Sequence, residues 1–267
     1  MLRAAHQILD NPKILDDPIA LRIIGTEGES WLRSNLERLQ EARSLRAFIV
    51  ARSRYAEDEL AQAIQRGTRQ YVILGAGLET FPYRNPYAES RLRVFEVDHP
   101  ATQSWKRKRL LEVGLTIPNS LTFAPVDFER QTLADGLSQT GFKADQPAFL
   151  SFLGVIIYLT REAVMDTFGF VASLSPGTEI AFDCPVPTSS LSDAQKLARE
   201  ARANRMTAIG EPWQTYFDPS SLASDLRRMG FQQIEDLGPE AANRRYFEDR
   251  TDGLRLAGSG HLMKARV

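Results

Sequence analysis

Cysteine is almost absent from this sequence, and histidine is rare. The one cysteine, Cys184, excludes an internal disulfide and a cysteine-rich metal site, and it fits a reducing compartment. The three histidines, His6, His99 and His261, are scattered without the spacing of metal ligands, so we predict no bound metal.

Long apolar runs and an excess of one charge are also missing. No segment approaches the roughly 18 apolar residues of a membrane span, and the first residues contain no apolar core of a secretory signal. Lys and Arg number 33 against 34 Asp and Glu, so no basic field attracts nucleic acid or an anionic membrane. We therefore predict a cytoplasmic protein without a nucleic-acid or membrane partner. The sequence does not indicate its oligomeric state.

The composition and the order of patterns predict a single α/β domain over residues 1–267. With 43% hydrophobic residues, the chain can form a large core. Residues 1–67 have helical patterns and predict an N-terminal cap. Within 68–267, seven predicted strands alternate with helices, which is typical of a doubly wound, Rossmann-like sheet. A polar segment at about 185–217 predicts a lid.

The segment 71–80 predicts a buried strand that runs into a glycine turn. Four β-type apolar residues precede Gly75 and Gly77, and a helix is predicted to start at Thr80. Glycine permits a sharp turn and a close approach of ligand to backbone, and helix amides favour an anionic or polar group. Ordinary strand-to-helix corners have similar turns, so this signal alone is weak.

Two later strands end in carboxylates. The segment 93–98 ends at Asp98, roughly 20 residues after the glycines, where an acid that binds ribose is expected in a nucleoside-binding fold. The segment 121–127 likewise ends at Asp127. Together with the glycine turn, these strand ends predict a crevice for a nucleotide-type cofactor.

A nicotinamide cofactor fits this crevice poorly. Its fingerprint places a third glycine where this chain has Thr80. A short-chain dehydrogenase would have lysine four residues after its tyrosine, but Glu162 follows Tyr158 at that distance. A nucleoside sulfonium fits better, because it has no pyrophosphate and needs only a looser glycine turn.

Two sets of basic residues have open interpretations. Arg52 lies on the apolar side of a helix predicted over 44–64, so it is either a snorkelling surface residue or the partner of an anion in a cleft. The run 106–109 consists of four consecutive cations that wrap around a helix, which favours a solvated surface over a phosphate-binding patch.

Four ordered motifs lie at residues 52–58, 72–80, 94–100 and 153–160. Together they resemble the leucine carboxyl methyltransferase family, in particular its bacterial branch of S-adenosylmethionine-dependent enzymes. The similarity runs from His6–Asp10 to the last predicted strand. It implies a class I methyltransferase fold and transfer of a methyl group from S-adenosylmethionine to a carboxylate or hydroxyl of a small-molecule acceptor.

The resemblance also implies residues that bind the cofactor. Arg52 would pair with the carboxylate of its methionine moiety, and Gly75 and Gly77 would let the backbone approach that moiety. Asp98 would hold the ribose hydroxyls.

Further along the chain, Asp127 and the backbone of Phe128 would bind the adenine edge. Leu153 is also assigned to the cofactor site, but it stands where enzymes that methylate a protein C-terminus tend to carry glutamate. This departure argues against a close shared substrate. Glu79 replaces the more usual aspartate of the glycine motif, which is a milder change.

The acceptor side gives weaker signals. Tyr158, after the fourth predicted strand, is the candidate catalytic residue that positions the acceptor, with Arg84 and Arg161 as possible anion partners; packing and surface roles are equally compatible with these residues. The alternative function is a regulatory or scaffold protein that binds the cofactor without turnover. The intact Gly75 and Asp98 argue against it.

Overall fold

The computed structural model describes residues 1–87, 89, 91–128 and 130–267. Seven strands form one mixed sheet. They are β1 Gln70–Leu74, β2 Arg93–Asp98, β3 Leu121–Pro125, β4 Phe149–Phe152, β5 Glu179–Cys184, β6 Gln233–Leu237 and β7 His261–Arg266. Their order across the sheet is β3-β2-β1-β4-β5-β7-β6. Strands β1 to β5 are parallel, and β7 is antiparallel to both of its neighbours. The predicted doubly wound sheet of seven strands is confirmed, and β6 and β7 close it as an antiparallel pair.

Helices cover both faces of the sheet and form the N-terminal part of the chain. They are α1 Leu2–Leu9, α2 Ile19–Ile23, α3 Gly25–Ser34, α4 Leu36–Glu41, α5 Arg43–Gln65, α6 Pro100–Glu112, α7 Leu133–Ser138, α8 Arg161–Ala172, α9 Asp193–Ala208, α10 Pro219–Met229 and α11 Pro239–Phe247. The Thr160 hydroxyl caps α8 by accepting a bond from Ala163 N, as its position predicts. Sequence patterns do not predict α7 or α11. In the described residues, no helix is long and apolar enough to cross a membrane.

The core lies on both faces of the central strands, because successive side chains of a strand point to opposite sides. In β1, Val72 and Leu74 belong to a buried cluster that includes Phe168 of α8. Tyr71 and Ile73 point the other way and belong to a cluster that includes Tyr55 of α5. Burial on both faces explains why β1 is apolar from Tyr71 to Leu74.

The helix predicted from Thr80 is only one turn of 3-10 helix, Phe81–Tyr83. Pro82 lies inside this turn and cannot donate an N–H to a continuing helix, and Arg84 then leaves helical geometry at φ −134°. The helix dipole invoked for the glycine turn is therefore absent.

The prediction of a solvated surface for residues 106–109 is wrong for Lys106. This side chain is only 1% exposed, because α6 packs it against β2. Its ammonium lies 2.7 Å from Oε1 of the buried Glu96 and donates to the carbonyl oxygen of Glu79 at 2.9 Å. Burial raises the pKa of Glu96 and lowers that of Lys106, while their mutual attraction opposes both changes. Lys106 thus ties the loop after β1 to β2.

Candidate functional site

A cavity of about 460 Å³ opens where β1 and β4 end. The strand order reverses between these two strands, and such switch points are the usual ligand sites of doubly wound sheets. The volume is within the ~300–1,000 Å³ range of small-molecule sites. The cavity is lined by residues 1–3, Ile49, Arg52, Ser53, 73–79, Ser151, Leu153 and Gly154. Four of the predicted cofactor residues, Arg52, Gly75, Gly77 and Leu153, are therefore brought together.

The two glycines of the turn have different surroundings. The N–H groups of Gly75 and Ala76 both donate to the carbonyl of Val97, at 2.8 and 3.1 Å, which fixes the turn against β2. A Cβ placed on Gly75 would lie 2.2 Å from a methyl group of Val155, whereas one on Gly77 would meet no atom within 4 Å. Packing thus requires glycine at 75, and Gly77 faces open space at the cavity wall.

Asp98 lies at the end of β2 and is bonded to the glycine turn. One carboxylate oxygen accepts the N–H of Gly77 at 2.5 Å, and the other accepts the N–H of His99 at 2.7 Å. Asp98 does not line the cavity itself. Each carboxylate oxygen has a second lone pair, so the pair of oxygens can still accept bonds from two neighbouring hydroxyl groups.

Asp127 and Phe128 extend the same edge to the end of β3. The N–H of Val126 donates to the carbonyl of Asp98 at 2.9 Å, which brings the ends of β2 and β3 together. The Asp127 carboxylate lies 3.8 Å from Nε2 of His99 and 3.5 Å from Nε of Arg130. Phe128 packs against the main core cluster. Both residues lie outside the cavity lining, on the side of Asp98.

Arg52 reaches the cavity wall from α5. Its Nη1 lies 3.2 Å from a carboxylate oxygen of Asp183, at the end of β5, and its side chain is 22% exposed. The structure thus favours the anion-partner interpretation over a snorkelling surface arginine.

The acceptor-side candidates lie outside the cavity lining. Tyr158 ends the 3-10 helix Ile156–Tyr158, and its carbonyl accepts a bond from the Gln214 side chain at 2.7 Å. Arg84 donates to Glu57 and lies 3.3 Å from Asp17.

Arg161 is more exposed and lies 3.4 Å from Asp225. Since Arg84 also has carboxylate partners, both arginines are held in ion pairs of the fold. Among the described residues, no group of three or more His, Cys, Asp and Glu side chains is arranged to hold a metal ion.

Sequence patterns do not identify two further charged residues of the site, Arg3 and Asp183. Arg3 pairs with Glu79 at 2.5 Å and also bonds the carbonyl of Leu78, so α1 is attached to the loop after β1. These partners are 76 and 75 residues apart, and no local signal predicts such pairs. Asp183 could be found, because it is an acid near a strand end like Asp98.

The lowered pKa of Glu79 leads us to expect a loss of stability in acid. Burial raises the pKa of its carboxyl group, but Arg3 and Arg84 and two backbone N–H bonds outweigh this effect and lower the pKa from 4.5 to about 2. Its stabilising contribution is therefore complete above pH 4.5 and is lost as the pH falls towards 2. Thermal unfolding measures how much free energy of unfolding each protein loses between pH 7 and 3. This loss should be smaller in Glu79→Gln than in the wild type by about 1–2 kcal/mol.

The glutamine variant is a close control, because its side-chain oxygen can still accept the two backbone N–H bonds of Thr80 and Phe81. The substitution removes the negative charge and the oxygen that accepts the bond from Arg3. If the free energy of unfolding falls equally in the two proteins over this pH range, the predicted role of Glu79 is wrong.

Comparison with known proteins shows the family and the fold of the chain. Residues 1–172 match the model of the leucine carboxyl methyltransferase family. YktD of Bacillus subtilis, named as a "putative S-adenosyl-L-methionine-dependent methyltransferase", is 34% identical, and the match covers 98% of this chain and 94% of YktD. A protein from Mycobacterium avium with the same descriptive name is 30% identical, and the match covers 74% of this chain and 66% of that protein.

Solved structures show the same fold. A "putative methyltransferase" from Thermobifida fusca has a TM-score of 0.60 with 19% identity, covering 93% of this chain and 92% of its own. A DUF574 family protein from Streptomyces avermitilis has a TM-score of 0.59 with 18% identity, covering 93% and 95%. At these identities the structures support the fold alone. With the family model matching residues 1–172 and YktD matching nearly the whole chain, the chain belongs to the leucine carboxyl methyltransferase family.

Proposed function

We propose that this protein transfers a methyl group from S-adenosylmethionine to a carboxylate or hydroxyl oxygen of a small-molecule acceptor. Family membership makes it an S-adenosylmethionine-dependent methyltransferase, and the acceptor is the proposed part. The observation that carries the proposal is a cavity whose lining contains both a guanidinium and a glycine turn bonded to a carboxylate.

The residues present fit this cofactor. Gly77 leaves open space at the cavity wall, and the guanidinium of Arg52 suits the carboxylate of the methionine moiety. Asp98 would accept the two ribose hydroxyls with the lone pairs that its backbone bonds leave. Asp127 and the backbone of Phe128, on the far side of Asp98, would hold the adenine edge.

Bound S-adenosylmethionine supplies a methyl group on a good leaving group, so the protein contributes mainly alignment and exclusion of water. A carboxylate acceptor is ionised at neutral pH and needs no general base, whereas a hydroxyl acceptor does. Tyr158 is our candidate for positioning the acceptor, since its 3-10 helix begins two residues after Gly154 of the cavity wall.

Two arginines on α9 favour a carboxylate acceptor over a hydroxyl. Arg199 and Arg202 are half-buried, and Arg199 stacks on Tyr216 and donates to the carbonyl of Val186, three residues beyond Asp183. Burial lowers the pKa of both guanidinium groups, and in the described chain no carboxylate offsets it for either one. In this proposal, residues 185–217 form a lid on the single domain, residues 1–67 form its cap, and the lid supplies cations for an anionic acceptor.

Calorimetric titration with S-adenosylmethionine and S-adenosylhomocysteine tests the cofactor site. We expect both ligands to bind the wild type, and Asp98→Ala to weaken both by at least about tenfold, because charge-assisted hydrogen bonds are lost. Asp166→Ala, which removes an exposed carboxylate from α8, is the control and should leave both affinities unchanged.

A folded wild type that binds neither ligand would overturn the proposal. Binding of both without methyl transfer to any of a panel of carboxylic acids and phenols would favour the regulatory or scaffold alternative. Transfer to carboxylic acids alone would support the role of the lid arginines.

A further inference from the structure

Asp183 connects two parts of the cavity wall. One of its carboxylate oxygens lies 3.2 Å from Nη1 of Arg52, and the other accepts the N–H of Gly154 at 2.5 Å. The two partners come from different elements, since Arg52 belongs to α5 and Gly154 follows β4. Both line the cavity, whereas Asp183 does not.

The guanidinium of Arg52 also lies against the backbone of Gly154. An ideal Cβ on Gly154 would be only 2.4 Å from Nη2 of Arg52, so a residue with a side chain at 154 would displace the guanidinium. Arg52 is therefore held from two sides, by the charge of Asp183 and by contact with Gly154.

We infer that Asp183 is a positioning residue that orients the guanidinium of Arg52 towards the carboxylate of the methionine moiety. This inference rests on the proposed function, in which Arg52 binds that carboxylate. A guanidinium has five N–H donors, and the contact with Asp183 uses one of them, so donors remain for a second carboxylate.

Asp183 also has an effect of opposite sign, because its negative charge repels the carboxylate of the ligand. The two effects can be separated. If orientation dominates, removal of the Asp183 side chain weakens binding, because the long arginine side chain must then be ordered when the ligand binds. If repulsion dominates, the same change strengthens binding.

Two ligands that differ in the methionine carboxylate test the inference. S-Adenosylhomocysteine contains it, and 5′-methylthioadenosine has the same nucleoside thioether without the amino-acid part. We expect Asp183→Ala to weaken binding of S-adenosylhomocysteine by about tenfold and that of methylthioadenosine by less than about twofold. Asp183→Asn retains a side-chain oxygen for Gly154 N–H or Arg52 and should recover most of the loss.

Gly154→Ala provides a second route, since the three atoms nearest to the new Cβ all belong to the mobile guanidinium of Arg52; the left-handed φ of +71° at Gly154 adds backbone strain, which lowers stability without selecting between the two ligands. It should show the same selective loss for S-adenosylhomocysteine, and a thermal unfolding scan verifies that each variant is folded.

Equal losses for both ligands, or tighter binding of S-adenosylhomocysteine by Asp183→Ala, would overturn the inference while leaving the proposed function intact. A wild type that binds neither ligand would overturn both. If Asp183→Ala and Gly154→Ala both bind S-adenosylhomocysteine as tightly as the wild type does, the inference alone is overturned.

Discussion

Replacing Asp10 by alanine should lower the free energy of unfolding by about 3–5 kcal/mol, the usual cost of removing one partner from a buried ion pair. The Asp10 carboxylate receives two bonds from Arg46, at 2.7 and 2.8 Å, and Arg46 is only 1% exposed. Without Asp10, the guanidinium retains a bond to the Leu39 carbonyl and a long contact with Gln40, but its positive charge stays buried without a counter-ion.

His6 completes this buried group and relates it to the cavity. Its Nε2 accepts backbone N–H bonds from Ile14 and Leu15, so Nδ1 carries the proton and donates to Asp10 at 2.7 Å. Asp10 thus joins α1 to the beginning of α5. Because α1 also places Leu2 and Arg3 in the cavity wall, we expect Asp10→Ala to weaken cofactor binding as well, although Asp10 does not line the cavity.

Urea denaturation monitored by circular dichroism measures the loss, and Glu29→Ala is the matched control. Glu29 forms an ion pair with Arg33 at 2.7 Å, but both side chains are exposed, so its removal should change the free energy of unfolding by about 1 kcal/mol or less. A similar, small effect for Asp10→Ala would contradict the role assigned to the buried group.

The agreement between the predicted and the observed strands has a physical basis. Parallel strands of an α/β sheet are rich in buried apolar residues, so Val94, Phe95 and Val97 predict β2, and its predicted ends, Arg93 and Asp98, are those that the structure shows. Since the carboxyl ends of such strands share one edge, acids at those ends indicate a site before any contact is known. Asp98 and Asp127 are found in this way.

The contacts that escape prediction join residues that are far apart in the sequence. Arg52 and Asp183 are 131 residues apart, and Arg3 and Glu79 are 76 apart. Neither separation leaves a periodic pattern in the sequence. Lys106 is a further example. A run of four cations predicts a solvated surface, and the sequence does not show that β2 brings the buried Glu96 within bonding distance of Lys106.

Gly75→Ala should destabilise the protein by about 2–5 kcal/mol, of which ~1–2 comes from the left-handed backbone conformation and ~1–3 from overpacking. Gly75 has φ +65°, and its new methyl group would overlap Val155, which packs against the core. Gly77→Ala is the control within the same turn. With φ +45° and open space around its Cβ, it should lose only about 1–2 kcal/mol of stability.

A double mutant separates the two causes. In Gly75→Ala combined with Val155→Ala, the overlap is relieved while the backbone strain remains. The free energies of unfolding lost by the two single mutants should therefore sum to about 1–3 kcal/mol more than the loss in the double mutant. Urea denaturation of the four proteins of this cycle gives the coupling directly. Additive losses would mean that backbone strain alone requires glycine at 75, and that the turn does not depend on its contact with Val155.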